Sequence, residues 1–298
     1  MGNSRRAVLY LKLALTAVAW GGTFVAGRVL AQSMPHLVAA EGRYLLASTC
    51  LVALTVWKEG RLPVPPRPQI WGTAVLGLTG MFLYNLFFFG ALGHLPASRT
   101  ALIVALSPAS TALLMAAFYR EALPARRWAG IAVAFLGVAV ALSHGRVWAL
   151  FSSGLGVGEA LMLGGTLSWA AYTVLGRAVL RSLSPLAATT WASLWGTLWL
   201  GIGAAAEWSG FHASQLGWRN LAAIAYLGVV GTAIAFVWYA EGVREIGPTR
   251  SAIFNNLVPI FGMTAGVLLL GEPLHWAMVA GGLVALLGVT LVNLPARR

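Results

Sequence analysis

Two stretches of the sequence place aromatic and hydroxyl side chains on one face of a helix. In the first stretch, positions i, i+3 and i+4 are Trp20, Thr23 and Phe24. The same face recurs 149 residues later, half the length of the 298-residue chain, as Trp169, Tyr172 and Thr173. Indole and phenol rings supply apolar area and one polar group each, so the pattern predicts a binding site for a small molecule with an apolar part. Anchoring of the helices at a membrane surface is the alternative for the tryptophans.

Further aromatic and amide groups lie inside apolar stretches and extend this candidate site. The segments "LYNLFFFG" (83–90) and "AFVWYAEG" (235–242) contribute Tyr84, Asn85, Phe88, Trp238 and Tyr239. A buried amide must find hydrogen bonds. Asn85 is therefore expected either to bond a neighbouring helix or to line the site.

Two prolines predict interrupted helices. Pro259 has no N–H for the carbonyl group four residues earlier, that of Asn255, and a second amide follows at Asn256. A freed carbonyl beside two amides suits substrate binding, as in the broken helices of transporters, and a kink that serves only packing is the alternative. Ser107 and Pro108 repeat the motif more weakly in the first half.

The composition indicates that all these residues belong to membrane-spanning helices. The chain is 59% hydrophobic and 9% charged, and it contains no aspartate, whereas soluble domains have about 25% charged residues. A bilayer core requires about 20 apolar residues per helix. We therefore predict an all-α polytopic membrane protein with ten spans, at about 8–31, 36–57, 69–92, 97–118, 125–143, 155–180, 185–206, 218–240, 249–270 and 275–294.

The 20 basic residues divide unevenly between the two sides of such a bundle. Fifteen fall on the side that holds both termini, and five fall on the other, namely Arg28, Arg43, Arg99, Arg146 and Arg219. Basic loops favour the cytoplasm, so both termini are expected there, in the inner membrane of a bacterium. No loop is long enough to form a basic domain. The net charge of +12 therefore reflects topology and does not predict binding of nucleic acid.

An internal repeat organises the chain. Residues 95–142 align without a gap with residues 246–293, and the rarer matches are Arg99 with Arg250, Pro108 with Pro259, Glu121 with Glu272, Gly130 with Gly281, and Gly137 with Gly288. Each half, 1–148 and 149–298, then holds five predicted spans. Because five is odd, the second half enters the membrane from the opposite side. Inverted repeats place the substrate site of transporters near the midplane, between the halves; a duplication kept for packing is the alternative.

These features resemble the drug/metabolite transporter superfamily and its EamA-type members. The resemblance covers essentially the whole chain. It rests on "VAWGGTFVAGRVL" and "LSWAAYTVLGRAVL" in the first and sixth spans, and on "YREALPARRWAGIAVAFLGV" and "LGEPLHWAMVAGGLVALLGV" at the close of each half. Arg120 departs from the pattern by standing where glycine usually precedes the glutamate. Within the superfamily the sequence is similar to amino acid exporters of the YddG type, which implies export of aromatic and other neutral amino acids. Multidrug, cationic-compound or nucleobase efflux is the alternative within the superfamily.

Charged side chains constrain the mechanism. Glu41 and Arg43 are two residues apart and do not face each other on a helix, so each needs another partner or water. Arg28 either reaches the headgroups or contacts substrate above the site. No glutamate lies near the middle of a span, so we expect passage of a substrate with no strong net charge, with Glu41 as the one candidate coupling group. Glu121 and Glu272 are expected to cap the helices that follow them.

Other function classes lack their signatures. Ser143 and His144 are adjacent, but no acid or Gly-x-Ser-x-Gly elbow accompanies them. The five histidines have no metal-ligand spacing. The sequence contains no filter-like loop of a channel. We therefore expect a transporter in the lipid bilayer, with no enzymatic activity, no cofactor and no obligate protein partner.

Overall fold

The computed structural model describes residues 3–120, 123–146, 155–247, 251 and 254–293, and all regular structure within them is helical. Two short 3-10 turns, Trp208–Gly210 and Ala213–Gln215, lie between the ninth and tenth helices. The α-helices are α1 (Asn3–Ala31), α2 (His36–Glu59), α3 (Arg67–Leu76), α4 (Tyr84–His94), α5 (Ala97–Val104), α6 (Ser107–Tyr119), α7 (Ala125–Leu142), α8 (Val157–Val179), α9 (Pro185–Glu207), α10 (Trp218–Ala225), α11 (Ala235–Ile246), α12 (Val258–Leu270) and α13 (Trp276–Asn293).

Several of these helices have the length and apolarity of membrane spans. Within the described residues six continuous helices meet both conditions, namely 6–31, His36–Glu59, Arg67–His94, Ala97–Tyr119, Ala125–Leu142 and Trp218–Ile246. The helices α8 and α9, each of 23 residues, are long enough but less apolar. The helix α12, and α13 counted over Trp276–Val292, are apolar but shorter. The predicted all-helical membrane fold is therefore confirmed.

Two of the long helices contain a π-helical segment. Gly77–Leu83 joins α3 to α4 without a break, and Tyr226–Ile234 joins α10 to α11 in the same way. The sequence analysis did not predict these segments. A π-helical turn has one more residue than an α-helical turn and is often found at functional sites.

Proline and glycine set many of the helix boundaries. Pro35, Pro66 and Pro96 precede the first residues of α2, α3 and α5, where a missing N–H costs nothing. Gly60 and Gly271 end α2 and α12 with positive φ angles of 75° and 66°. Glycine adopts that left-handed conformation without steric strain.

Polar contacts join the helices at two opposite ends of the bundle. At one end, here called the Lys12 end, Lys12 Nζ of α1 lies 2.7 Å from Glu241 Oε2 of α11. At the other, the Arg99 end, Arg99 Nη2 in the first turn of α5 lies 2.8 Å from Glu159 Oε1 at the start of α8. These two ion pairs mark the surfaces between which the helices run.

Glu272 caps a different helix from the one predicted. Its two carboxylate oxygens accept hydrogen bonds from the backbone N–H groups of Ala97 and Ser98, at 2.7 and 2.8 Å, which begin α5. The expected helix, α13, begins only at Trp276. The prediction for Glu272 was wrong because the nearest unpaired N–H groups belong to a helix distant in sequence. Glu121 lies outside the described residues.

The repeated glycines form a close helix contact between α7 and α13. A Cβ atom added to Gly130 would lie 2.7 Å from the carbonyl oxygen of Gly288, and one added to Gly137 or Gly281 would overlap the opposite backbone. Small residues allow membrane helices to pack backbone against backbone. These glycines therefore allow α7 and α13 to pack closely against each other.

Candidate functional site

A cavity lies where the two predicted aromatic stripes meet. Its wall contains six aromatic side chains, four polar or charged side chains and two valines. Its volume is about 40 Å³, counted as the space in which the centre of a water molecule fits. The lining residues are Trp20, Thr23, Phe24, Arg43, Tyr84, Phe88, Val104, Ser107, Trp169, Phe236, Asn255 and Val258.

The aromatic side chains form one continuous cluster. The ring centroids of Trp20 and Trp169 are 5.3 Å apart with planes at 82°, an edge-to-face contact. Phe236 lies against both rings, at 5.7 and 5.5 Å. Tyr84 adds a contact to Trp169 at 5.6 Å. Rings at such separations attract one another beyond the burial of their area, so the cavity wall is held together by its own contacts.

The two tryptophans differ in their polar contacts. The indole N–H of Trp20 donates to the Gly231 carbonyl at 3.0 Å, in the second π-helical segment. The indole N–H of Trp169 makes no hydrogen bond among the described residues, although the ring lines the cavity. The hydroxyl of Thr23 donates to the Trp20 carbonyl of its own helix at 2.5 Å. Trp169 therefore retains a donor for a ligand, whereas Trp20 is fixed by the protein.

Arg43 is the charged group of the cavity wall, and its side chain is 3% exposed. Its Nε donates to Thr232 Oγ1 and its Nη1 donates to Asn85 Oδ1, both at 2.9 Å. Thr232 lies in the second π-helical segment, and Asn85 follows the first one. The guanidinium group thus connects α2 to the two widened helices.

Two prolines near the cavity leave backbone carbonyl groups without their usual helical hydrogen-bond donor. The chain leaves the α-helix at 105–106, between α5 and α6, and at 256–257, before α12. Pro108 and Pro259 supply no N–H to the carbonyl groups of Val104 and Asn255. Val104 and Asn255 both line the cavity. The predicted helix interruption is therefore present at both prolines, and the carbonyl group that loses its helical donor at each belongs to a residue that lines the cavity.

A second, smaller cavity lies beside the first. It has about 30 Å³ of space for water centres. The rings of Tyr172 and Tyr239 contact Trp169 at 5.2 and 6.1 Å and separate the two cavities. The amide of Asn255 donates to the Tyr239 hydroxyl at 3.3 Å. The lining residues of the second cavity are Leu76, Tyr172, Thr173, Gly176, Leu180, Ala188, Thr189, Tyr239, Ala240 and Val243.

The structure brings most of the predicted site residues together in these two cavities, but not all. Asn85 is buried behind the wall, where it bonds Arg43 and the Met81 carbonyl. Arg28 donates to the Leu92 carbonyl. Glu41 is half-buried with Oε2 unbonded in the described part of the chain. The residues that line neither cavity are Arg28, Glu41, Asn85, Pro108, Trp238, Asn256 and Pro259.

Three residues that line the first cavity were not predicted from the sequence: Val104, Phe236 and Val258. Phe236 aligns with Tyr84 when "AFVWYAEG" is matched to "LYNLFFFG", so the repeat contained the signal. Val258 likewise aligns with Ser107 at the shift of 151. Repeat-related position therefore indicates the cavity lining better than residue type does.

Helices of membrane-spanning length around a central cavity define a multi-pass membrane protein with an internal cavity. The model of the EamA-like transporter family matches residues 7–143 and again residues 156–294. The chain belongs to the EamA-like transporter family. This membership confirms the expected family and a transporter in place of an enzyme.

Known relatives agree with that assignment. The uncharacterized transporter YyaM of Bacillus subtilis is 26% identical over 94% of this chain and 92% of its own length. A probable terminal-alkyne amino-acid exporter of Streptantibioticus cattleyicolor is 29% identical over 94% of this chain and 92% of its own length. One crystal structure superposes with a TM-score of 0.69 over 96% of both chains at 18% identity, a likeness of fold alone.

Proposed function

We propose that the chain is a secondary transporter that exports a small metabolite without strong net charge through the aromatic cavity. We propose further that this metabolite is an amino acid with an aromatic or other apolar side chain. The observation that carries the proposal is that repeat-related positions of the two halves line one cavity. The pairs are Trp20 with Trp169, Val104 with Asn255, Ser107 with Val258, and Tyr84 with Phe236.

The proposed architecture is ten spans in two inverted halves, 1–148 and 149–298. The two matches of one family model, each covering nearly a whole half, support the duplication. The ion pairs support the inversion. The helix α1 begins at the Lys12 end, whereas α8 begins at the Arg99 end, beside Glu159. The halves therefore enter the bundle from opposite sides. The boundary between them lies outside the described residues.

Alternating access requires that one end open while the other closes. At the Arg99 end, Glu272 bonds the start of α5 and Glu207 accepts from the Leu37 N–H at 2.7 Å. At the Lys12 end, a groove of about 440 Å³ opens between α1, α2, α9 and α11. The excess of basic residues at this end supports a cytoplasmic location for it and for both termini.

The cavity lining supports the choice of substrate class. Six rings offer contacts to an apolar side chain. No carboxylate is among the lining residues, whereas Arg43 is, which disfavours a cationic drug. The relative named as a probable amino-acid exporter supports an amino acid.

Counterflow into proteoliposomes tests the proposal. Proteoliposomes that contain the purified chain are loaded with an unlabelled compound. The entry of the same compound in labelled form, either L-phenylalanine, L-leucine, adenine or ethidium, is then followed. We expect saturable counterflow of the two amino acids and none of ethidium. Counterflow of ethidium or adenine alone would overturn the amino-acid assignment, and covalent turnover of any compound would overturn the transporter assignment.

Reporter fusions test the proposed topology separately. Fusions after Arg61 and Arg126 should report the cytoplasm, and fusions after His144 and His212 should report the outside. A cytoplasmic signal at His144 would contradict the inverted repeat.

A further inference from the structure

We infer that Arg43 binds the carboxylate group of the transported molecule, through the part of its guanidinium that the protein leaves unused. The inference rests on the proposed function, since it assumes that the aromatic cavity is the substrate site. It narrows the substrate class to compounds that combine a carboxylate with an apolar or aromatic body.

The positive charge of Arg43 is not neutralised by the protein around it. The ion pairs of the described residues are Lys12 with Glu241 and Arg99 with Glu159. Glu41, the nearest acid in sequence, points elsewhere: its Oε1 would lie 3.5 Å from a Cβ atom added to Gly201 of α9. A charge that is 3% exposed in an apolar bundle is costly unless an anion joins it.

The guanidinium group also has hydrogen-bond donors to spare. Arginine carries five N–H donors in a planar fork. Nε donates its hydrogen to Thr232, and Nη1 donates one of its two hydrogens to Asn85. No hydrogen bond of the described residues uses Nη2. Both hydrogens of Nη2 and one of Nη1 remain. The Nη1 and Nη2 nitrogens together form an end of the fork that can bind a carboxylate with two parallel hydrogen bonds.

The bonds to the protein fix the orientation of this fork. Thr232 is itself held, since its hydroxyl donates to the Leu227 carbonyl at 2.8 Å. Asn85 is held in the same way, because its amide donates to the Met81 carbonyl at 2.6 Å. The oxygens of Thr232 and Asn85 therefore accept from Arg43 with little freedom. A preoriented donor pair loses less entropy on binding a ligand.

A structural role alone accounts for only part of this arrangement. The Nε and Nη1 contacts hold α2 against the two π-helical segments and would do so without a ligand. They leave unexplained why a full charge, and not a neutral amide, stands in the cavity wall. Binding of an anion explains both the charge and the unused donors.

The test compares probes that share one ring and differ in the carboxylate. Binding to the detergent-solubilised full chain is measured from the ligand-dependent rise of the unfolding temperature. The probes are L-phenylalanine, 3-phenylpropionate, L-phenylalaninamide and phenethylamine. In the wild-type protein we expect L-phenylalanine and 3-phenylpropionate to bind about 10- to 100-fold tighter than the two probes without a carboxylate, as hydrogen bonds to charged groups imply.

Variants then assign the preference to Arg43. Arg43→Gln should reduce the preference for probes with a carboxylate to about threefold or less, while the contacts between the cavity rings and the probe's ring persist. Arg43→Lys retains the charge but lacks the planar fork, so its preference for probes with a carboxylate should lie between those of the wild type and of Arg43→Gln. Thr232→Val breaks the same buried hydrogen bond with Nε but leaves the charge, so it should lose stability and reduce the preference much less than Arg43→Gln does.

The outcomes separate this inference from the proposed function. Equal binding of phenethylamine and L-phenylalanine to the wild type, or binding of none of the four probes, would overturn the role of Arg43 even if Arg43→Gln failed to fold. Counterflow of a compound that has no carboxylate would overturn it too, while the transporter assignment would stand. Loss of the preference in Thr232→Val to the same extent as in Arg43→Gln would assign Arg43 a structural role only.

Discussion

Trp20 of α1 and Trp169 of α8 meet edge to face in the centre of the bundle, with 5.3 Å between their ring centroids. The two residues occupy related positions of the repeat, 149 residues apart. Their surroundings differ, because the indole N–H of Trp20 is bonded to the Gly231 carbonyl and that of Trp169 has no such bond in the described structure. A symmetric sequence pattern thus yields one fixed ring and one ring with an available donor.

Replacing Trp169 by alanine should lower transport about tenfold or more. Burying an aromatic side chain against a ligand contributes about 1.5–3 kcal/mol. Truncation of a buried aromatic also costs about 3–5 kcal/mol of stability. Transport per folded molecule is therefore the quantity to measure, in proteoliposomes with matched protein content. Trp276→Ala is the control, since that ring is 72% exposed on the outside of α13. Equal losses in the two variants would assign Trp169 to packing.

Much of the cavity is predictable from the sequence because the repeat specifies depth as well as helix face. Trp20, Thr23 and Trp169 were selected for their spacing, and all three line the cavity. Trp238 was selected for its ring type alone, and it lies half-buried away from both cavities. Its neighbour Phe236 occupies the position related to Tyr84 and is the residue that reaches the wall.

Other parts of the site depend on contacts that no local pattern encodes. The π-helical segments carry no sequence signal of their own. Their carbonyl groups are satisfied by distant side chains, for example the Thr79 carbonyl by the Ser168 hydroxyl at 2.7 Å. The partners of Arg43 lie 42 and 189 residues away in the chain. Glu272 likewise caps a helix 175 residues distant. Such pairings follow from the packing of the whole bundle.

Replacing Gly137 by alanine should destabilise the bundle by about 1–3 kcal/mol, the cost of forcing an extra carbon into a packed interface. The new Cβ would overlap the backbone of Ala285, which has no flexible side chain to move aside. Thermal unfolding in detergent measures the loss. Gly217→Ala is the matched control, because no atom lies within 4 Å of its added Cβ. Similar unfolding temperatures for both variants would contradict the close contact between α7 and α13.

Cysteine labelling should identify the water-accessible face of α1 and α8. In a Cys50→Ala background, cysteines at positions 20, 23, 169 and 172 should react with a polar thiol reagent, and substrate should block the reaction. Positions 167 and 175 of α8 serve as controls, since Leu167 and Leu175 are 51% and 40% exposed on the outer surface. A thiol facing hydrocarbon stays protonated and unreactive. Reaction at these control positions, with none at the other four, would assign the aromatic stripes to packing.

Transport should not require a proton gradient. The cavity lining contains no carboxylate, and proton-driven carriers commonly hold an acidic or histidine side chain within the membrane. Substrate counterflow should therefore persist when the membrane is made permeable to protons. The measurement is the initial rate of labelled L-phenylalanine entry with and without a protonophore.

Glu41 is the candidate coupling group if transport does depend on protons. It lies in α2, outside both cavity linings, with Oε2 unbonded among the described residues. Glu41→Gln removes the charge and keeps the shape, so we expect it to change folding yield more than the rate of counterflow. Glu207→Gln is the matched control at the same end of the bundle, where the lost bond to the Leu37 N–H should lower stability. If an imposed pH gradient alone drives uphill accumulation of L-phenylalanine, and Glu41→Gln but not Glu207→Gln abolishes that accumulation, then transport is proton-coupled and Glu41 is the coupling group.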